Sequence, residues 1–359
     1  MNEIQGREIN QKEPLTSTRK SWIVFFVVLG IAFFLFALSF FLGSTNLSPD
    51  RSFLGLFGQA DNAANRIMQR IRLPRNIGAF IIGGGLALSG LIMQTSLKNP
   101  MASPATLGIS NAAVFGANVI ILAIYGTGSN SFVSVNDSPF TVSAVAFAFA
   151  LLCVLIVLGL SSFHQFNPTT VVLIGIALGA GFQAGTTLLQ YFSDDVALSA
   201  VVGWSFGNLE RLTMEENYIL LLVVGVSLLG FEVFSYRYNA LSGGEGFARS
   251  LGVHTSLLRF VSLLVASLIA ALCVSFCGII GFVGIIAPHI MKRIIGNDHR
   301  FLIPTSFFAG ASMLLFCDIA TRLIGQGTSL PVGAITALIG TPFFLFILFT
   351  KKGKIYDLR

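Results

Sequence analysis

The sequence predicts an all-α, polytopic membrane protein of about ten transmembrane helices. Of its 359 residues, 54% are hydrophobic and only 11% are charged, whereas a soluble domain carries about 25% charged residues. The apolar runs are continuous, which excludes the short alternating strands of a membrane β-barrel. With about 20 residues for each crossing and short connections, the chain accommodates roughly ten helices in one domain.

The predicted spans follow from runs that are uncharged or nearly so. In chain order they are 21–42, 77–94, 107–125, 140–160, 171–192, 217–236, 256–277, 278–300, 304–323 and 329–348. A signal peptide is the alternative for the first run, but that run is longer than an h-region. Basic residues near both termini predict that both are cytoplasmic, which requires an even number of crossings. We therefore expect a tail at 1–20, a transmembrane domain at 21–350 and a tail at 351–359.

The net charge of +6 raises the possibility of a nucleic-acid partner. The basic residues are instead dispersed over loops and termini and form no platform interleaved with aromatic residues. Four cysteines, Cys153, Cys273, Cys277 and Cys317, lie in apolar runs without metal-ligand spacing. We expect no nucleic acid, no metal site and no bound cofactor; the partner is a lipid bilayer.

The segment 47–75 is predicted to lie outside the membrane, yet it is rich in arginine. It contains Arg51, Arg66, Arg70, Arg72 and Arg75. One interpretation is an ordinary exception to the positive-inside bias. The other is an exposed docking surface for acidic side chains, because the planar fork of arginine pairs bidentately with carboxylates.

Small residues mark two predicted helix contacts. The second span carries Gly83, Gly84, Gly85 and Gly90 on a face suited to close packing. The eighth contains Gly281, Gly284 and Pro288 and ends in Lys292 and Arg293, which predicts a membrane helix that stops short.

The largest internal connection, 237–259, combines glycines with a short amphipathic segment. Phe247, Leu251 and Val253 are apolar, and Glu245 and Arg249 are spaced for an i, i+4 pair. An isolated surface helix is one interpretation. The alternative is an interaction helix that inserts apolar side chains into a groove of a partner.

The ninth span contains Asp318 and Arg322, four residues apart near its outer end. Charged residues within a membrane span are usually functional, although mutual neutralisation explains this pair equally well. Asp298, His299 and Arg300 precede the span without a nucleophile, so we expect them to cap the helix.

Several strings resemble one family. GFVGIIAPHIMKRIIGNDHRFLIP at 281–304 resembles the signature of the FecCD/BtuC-type permeases, the membrane subunits of bacterial importers for iron-siderophores, haem and cobalamin. IRLPRNIGAFIIGGGLALSGLIMQ at 71–94 is similar to the entry to that family's second span, and KNPMASPATLGIS at 98–110 to an inner-loop motif. The resemblance extends over about 72–348 and implies the fold of a type II importer permease.

The resemblance assigns roles to residues that match the family's motifs. Arg72, Arg75 and Arg322 are implied to dock an external substrate-binding protein, with Asp318 orienting Arg322. A coupling segment at about 240–256 is implied to fit an ATPase subunit through Glu245, Ala248, Arg249, Leu251 and Gly252. Thr169, in the connection between the fourth and fifth spans, is the candidate cytoplasmic gate residue.

The function implied is import driven by a separate motor. The sequence has no GxxxxGK[ST] loop for cradling phosphates, so we expect ATP and Mg to be bound by two partner ATPases and this chain not to be an enzyme. A second permease subunit, identical or related, would complete the path across the bacterial cytoplasmic membrane. An iron-siderophore is the expected cargo, with haem and cobalamin open.

An ion-coupled secondary transporter that works alone is the alternative function. Such transporters usually carry titratable groups near the middle of the membrane. Asp318 is the one serious carboxylate candidate within the predicted spans, and it has an arginine nearby.

Overall fold

The computed structural model describes residues 18–43, 47–125, 139–325 and 330–349. Within these ranges the chain is helical and contains no strand. The helices are α1 Thr18–Phe41, α2 Pro49–Leu56, α3 Asn62–Arg66, α4 Leu73–Ser96, α5 Ile109–Tyr125, α6 Pro139–Ser162, α7 Pro168–Tyr191, α8 Asp195–Ser205, α9 Met214–Val233, α10 Ser235–Ser242, α11 Glu245–Ser250, α12 Thr255–Cys277, α13 Val283–Ile295, α14 His299–Ile324 and α15 Val332–Phe349. The predicted N-terminal tail up to residue 17, the predicted loop 126–138 and the predicted C-terminal tail lie outside the described residues.

Seven of the described helices are long and apolar enough to cross a membrane. They are α1, the continuous helix that contains α4, α6, α7, α9, α12 and α14. The other three predicted spans correspond to the shorter helices α5, α13 and α15. At 13 residues, α13 is only about 20 Å long, less than the roughly 30 Å hydrocarbon core of a bilayer. The prediction of a helix that stops short is therefore correct, and the fold class is all-α as predicted.

The start of the second span was placed wrongly. We predicted a connection up to Arg75, but α2 occupies part of it and one continuous helix runs from Asn62 to Ser96. The prediction placed the start late because the segment up to Arg75 is rich in arginine, and the spans were predicted from runs nearly free of charge. The helix continues through Pro74, and the preceding turns, Ile67–Arg72, are π-helical, a geometry that shifts the hydrogen-bond register.

Helix α4 forms the centre of the bundle. It packs against α9, α12, α13 and α14, and α12 also packs against α5 and α6, which form a second group with α7. Small residues allow this central position: a Cβ on Gly83 would meet the carbonyl oxygen of Gly310 in α14, and a Cβ on Gly90 would meet the backbone of Gly284 in α13. The predicted small-residue contacts are confirmed at these positions.

Replacing Gly90 with alanine is expected to destabilise the protein, because the new methyl group collides with backbone that cannot rotate away. Overpacking of this kind costs about 1–3 kcal/mol or more. The matched control is Gly225→Ala in α9, where a Cβ meets nothing within 4 Å. A thiol-reactive dye can report unfolding of both variants, since all four cysteines are buried. Equal melting temperatures would contradict the close helix contact.

Candidate functional site

Three arginines from distant parts of the chain gather at one end of the bundle. They form what we call the ionic cluster, which consists of Arg72, Arg75, Glu210, Asp318 and Arg322. Arg72 and Arg75 lie at the start of α4, and Asp318 and Arg322 lie in the last two turns of α14. The bundle brings them together because α4 and α14 are antiparallel neighbours.

Asp318 is the centre of the ionic cluster and is fully buried. Its Oδ1 accepts a hydrogen bond of 2.8 Å from Nε of Arg75, and its Oδ2 pairs with Nη2 of Arg322. A buried carboxylate is strongly destabilising unless it is paired and hydrogen-bonded. Here two guanidinium groups pair with the single carboxylate, which explains how Asp318 is accommodated.

The other arginine N–H groups of the ionic cluster donate hydrogen bonds to neighbouring residues. Arg322 donates to the carbonyl of Ser39 at 2.9 Å and to Oδ1 of Asn76 at 2.5 Å. Arg72 donates to the carbonyl of Phe40 at 2.6 Å. The carboxyl-terminal end of α1 is thereby held against α4 and α14 by main-chain acceptors.

Arg75 reaches a second carboxylate, Glu210, which sequence reasoning missed. Glu210 lies in the 3₁₀ turn Leu209–Arg211, and its side chain is 37% exposed. Three arginines against two carboxylates leave one excess positive charge in the cluster. The cluster therefore combines a buried pair with a carboxylate that solvent reaches.

The predicted exposed arginine surface is only partly correct. Arg51, Arg66 and Arg70 are exposed, but Arg72 and Arg75 are 4% and 6% exposed, and Arg322 is 7% exposed. The sequence suggested exposure of Arg72 and Arg75 because they precede a predicted span, whereas the helix starts earlier and buries their side chains. The structure brings the three predicted docking residues together, and their docking role stays a prediction.

The predicted coupling segment lies at the opposite end of α4 and α14. It contains α10 and α11, separated at Gly244, whose φ of 122° is open to glycine and strained for other residues. Ala248 is fully buried, while Phe247 and Leu251 are 55% and 59% exposed. Two apolar side chains therefore project from a short anchored helix, as the interaction-helix interpretation expects.

Glu245 anchors this segment. Its Oε1 pairs with Nη2 of Arg249 at 2.7 Å, and its Oε2 with Nη2 of the buried Arg259 at 3.2 Å. Arg259 in turn donates from Nε to the carbonyl of Ser96 at 3.0 Å. The predicted i, i+4 pair is present, and one glutamate links the segment to the last residue of α4.

The pKa of Glu245 follows from these contacts. Burial raises the pKa, but the hydrogen bond and charge of Arg259, with help from Arg249 and Thr255, outweigh burial and hold the pKa below its ordinary value of 4.5. A carboxyl group whose pKa is lowered in the folded protein stabilises the fold when the pH is above its unfolded-state pKa. This contribution is lost as the pH falls through the folded-state pKa.

Glu245→Gln is therefore expected to lower the melting temperature at pH 7, since the amide removes the charge that Arg259 faces. The difference from the unsubstituted protein should shrink as the pH is lowered from 7 through the folded-state pKa of Glu245, which lies below 4.5, because the glutamate then becomes protonated itself. Melting curves of both proteins at pH 7 and at successively lower pH values provide the measurement. A difference that persists at the lower pH would exclude the carboxylate as its cause.

A further anchor joins the coupling segment to α14. Asn239 in α10 donates to Oδ1 of Asp298 at 2.9 Å and accepts from the main-chain N–H of His299 at 2.8 Å. Nε2 of His299 lies 2.9 Å from Oγ1 of Thr95 in α4. The predicted capping role of Asp298 is confirmed, because its side chain accepts from the N–H of Arg300. The asparagine was missed because no local pattern distinguishes it.

Thr169, the predicted gate residue, is exposed in the first turn of α7. Its N–H donates to the side chain of Asn167, the N-cap, at 3.0 Å. The same helix has an exposed face that includes Ala180, Gln183 and Thr187. Exposed amide and hydroxyl groups are unfavourable against lipid, so this face is suited to a second subunit or a polar path.

Comparison with known proteins gives a consistent result. The model of the FecCD transport family matches residues 31–350. A protein of Methanocaldococcus jannaschii named as an ABC transporter permease is 41% identical over 95% of this chain and 98% of its own length. The vitamin B12 import system permease BtuC of Vibrio vulnificus is 31% identical over 90% and 92% of the two chains. The Fe(3+)-citrate import system permease YfmE of Bacillus subtilis is 33% identical over 92% and 97%.

A solved structure supports the fold. An inward-facing conformation of a transporter described as a metal-chelate type ABC transporter superposes with a TM-score of 0.79 and 27% sequence identity. The match covers 91% of this chain and 99% of that one. The arrangement of α1 to α15 is therefore that of an importer permease.

Proposed function

The chain belongs to the FecCD transport family and is an ABC importer permease, and from this premise we propose that it carries an iron(III)-siderophore across the bacterial cytoplasmic membrane. The observation that carries the proposal is the presence of two built sites at opposite ends of α4 and α14. An ionic cluster with excess positive charge lies at one end, and an anchored apolar helix lies at the other. With 24 residues in α4, the two ends are about 36 Å apart, more than the hydrocarbon core of a bilayer.

The coupling segment is proposed to bind a cytoplasmic ATPase. Phe247 and Leu251 would enter a groove of the ATPase, while Glu245 and Arg259 hold the helix that carries them. Two ATPases would each bind one permease and hydrolyse ATP with Mg, because the sequence has no phosphate-cradling loop of its own. Transport then requires that the ATPase bind one permease conformation more tightly than another.

The ionic cluster is proposed to dock an external substrate-binding protein through Arg72, Arg75 and Arg322. Glu210 already holds Arg75 with a carboxylate that solvent reaches, so an acidic side chain from a partner could take its place. Asp318 would remain buried and keep Arg75 and Arg322 oriented.

Glu210→Gln is accordingly expected to tighten docking of the binding protein by up to about fivefold. It removes the carboxylate of this chain that competes with the partner's acidic side chain for Arg75, and an exposed ion pair contributes about 1 kcal/mol or less. A titration with the cognate binding protein measures the affinity. Glu215→Gln, a change of equal charge at an exposed residue in the first turn of α9, should have a smaller effect. Unchanged or weaker docking with Glu210→Gln would remove Arg75 from the proposed contact.

A second permease subunit is proposed to face the exposed side of α7. The small residues Ala180 and Gly181 and the polar residues Gln183 and Thr187 lie on that side, which favours a wide path with few strong contacts for a large chelate. Thr169 would lie at its cytoplasmic mouth. Both termini would then be cytoplasmic, as the basic residues near them indicate.

The cargo test compares three chelates. Proteoliposomes with the permease, its ATPases and its binding protein are expected to accumulate a radiolabelled ferric siderophore in preference to cobalamin and haem. The similarity to an Fe(3+)-citrate import permease supports an iron chelate as the cargo, whereas the similarity to a vitamin B12 import permease supports cobalamin. Preferential uptake of cobalamin or haem would overturn the siderophore assignment and leave the permease assignment intact.

A further inference from the structure

A large apolar cleft lies between α9 and α12, next to the coupling segment and far from the ionic cluster. Its volume is about 1110 Å³. Exposed apolar side chains line it, including Leu222, Val226, Leu257 and Val261. Because α9 and α12 both have the length and composition of membrane spans, whatever fills the cleft must enter from the bilayer.

The length of the cleft matches one leaflet. It extends along α9 from Leu222 to Phe234 and along α12 from His254 to Leu268. At 1.5 Å per residue these stretches measure about 18 Å and 21 Å. Half of a bilayer with its headgroup regions is about 20–22 Å thick. The cleft therefore extends from the polar face to the middle of the membrane.

The length of the cleft also bears on the kind of occupant. A transmembrane helix of a partner would extend about 30 Å through the hydrocarbon core, whereas the cleft extends only about 20 Å along α9 and α12. Acyl chains, which end at the middle of the membrane, match that length.

The mouth of the cleft is positively charged. Arg237 lies there, exposed, with its guanidinium 4.8 Å from the centre of the Phe234 ring, and His254 lies on the opposite wall. No aspartate or glutamate is among the described residues that line the cleft. An apolar channel that ends at an arginine is complementary to a phospholipid, whose acyl chains are apolar and whose headgroup carries a negative charge.

We propose that this cleft binds one anionic phospholipid of the adjoining leaflet, with its acyl chains between α9 and α12 and its phosphate at Arg237. Leu251, Gly252 and Val253 of the coupling segment form part of the same mouth. The bound lipid therefore touches the segment proposed to receive the ATPase.

The test measures bound lipid and does not depend on transport. The purified full chain is titrated with phosphatidylglycerol or with phosphatidylcholine of the same acyl chains, and bound lipid is counted by native mass spectrometry. One phosphatidylglycerol should be retained in preference to phosphatidylcholine. Arg237→Gln should weaken phosphatidylglycerol binding about fivefold, the usual contribution of one basic residue near an anionic surface.

Two controls separate the cleft from the general surface. Arg293→Gln removes an exposed positive charge at the same end of the bundle, outside the cleft, and should leave retention unchanged. Val226→Trp places a bulky ring between α9 and α12 and should weaken lipid retention, whereas Leu229→Trp, at an exposed residue of α9 outside the cleft, should not. Equal retention of the two lipids, an Arg237→Gln variant that binds normally, or a co-purifying membrane peptide cross-linked within the cleft would overturn the proposal.

Discussion

Asp318→Asn is expected to destabilise the protein by about 3–5 kcal/mol, the usual consequence of removing one partner from a buried ion pair. Asp318 is fully buried and pairs with both Arg75 and Arg322. Asparagine has nearly the same shape but no charge, so two buried guanidinium groups would lose their shared counter-ion. The loss should appear as a lower melting temperature in the thiol-dye assay.

Glu210→Gln provides the matched control for this prediction. It removes the second carboxylate that Arg75 contacts, but the Glu210 side chain is 37% exposed, and exposed pairs contribute about 1 kcal/mol or less. The account thus predicts a large effect for the buried acid and a small effect for the exposed acid. Similar melting temperatures for the two variants would show that Asp318 does not hold the cluster together.

Leu251→Asp is expected to lower transport per ATP hydrolysed at least tenfold, since it would place an unpaired charge in the groove proposed on the ATPase. Leu251 is 59% exposed in the isolated chain, so the substitution should leave folding intact. Uptake and hydrolysis measured on the same proteoliposomes give the ratio.

The control for Leu251→Asp is Asn297→Asp. Asn297 is exposed at the same end of the bundle, between α13 and α14 and outside the coupling segment, so the added charge should have little effect there. Unaltered coupling in the Leu251→Asp variant, with both proteins folded, would remove Leu251 from the ATPase contact.

Local pattern was sufficient to predict most helices. Continuous apolar runs identify α6, α7 and α12 within a few residues of their observed ends, because a membrane span is specified by length and hydropathy. The same reasoning placed the start of the second helix too late, because the arginine-rich segment before Arg75 is helical and includes π-helical turns. A change of hydrogen-bond register has no compositional signal.

The ionic cluster was predictable only in part. The family motifs identified four of its five members, Arg72, Arg75, Asp318 and Arg322, yet their burial depends on partners far away in the chain. Arg75 is separated from Glu210 by 135 residues and from Asp318 by 243. Such pairs arise from packing of α4 on α14, which single-sequence periodicity does not describe. Glu245 was recognised more readily, because its contact with Arg249 lies within one helical turn.

The most direct test of the account asks what drives uptake. The permease is reconstituted with its ATPases and binding protein, and ferric-siderophore accumulation is followed with ATP alone or with a proton gradient alone. The account predicts uptake that requires ATP and all the partners and does not respond to the gradient. Uptake by this chain alone, driven by the proton gradient, would contradict it.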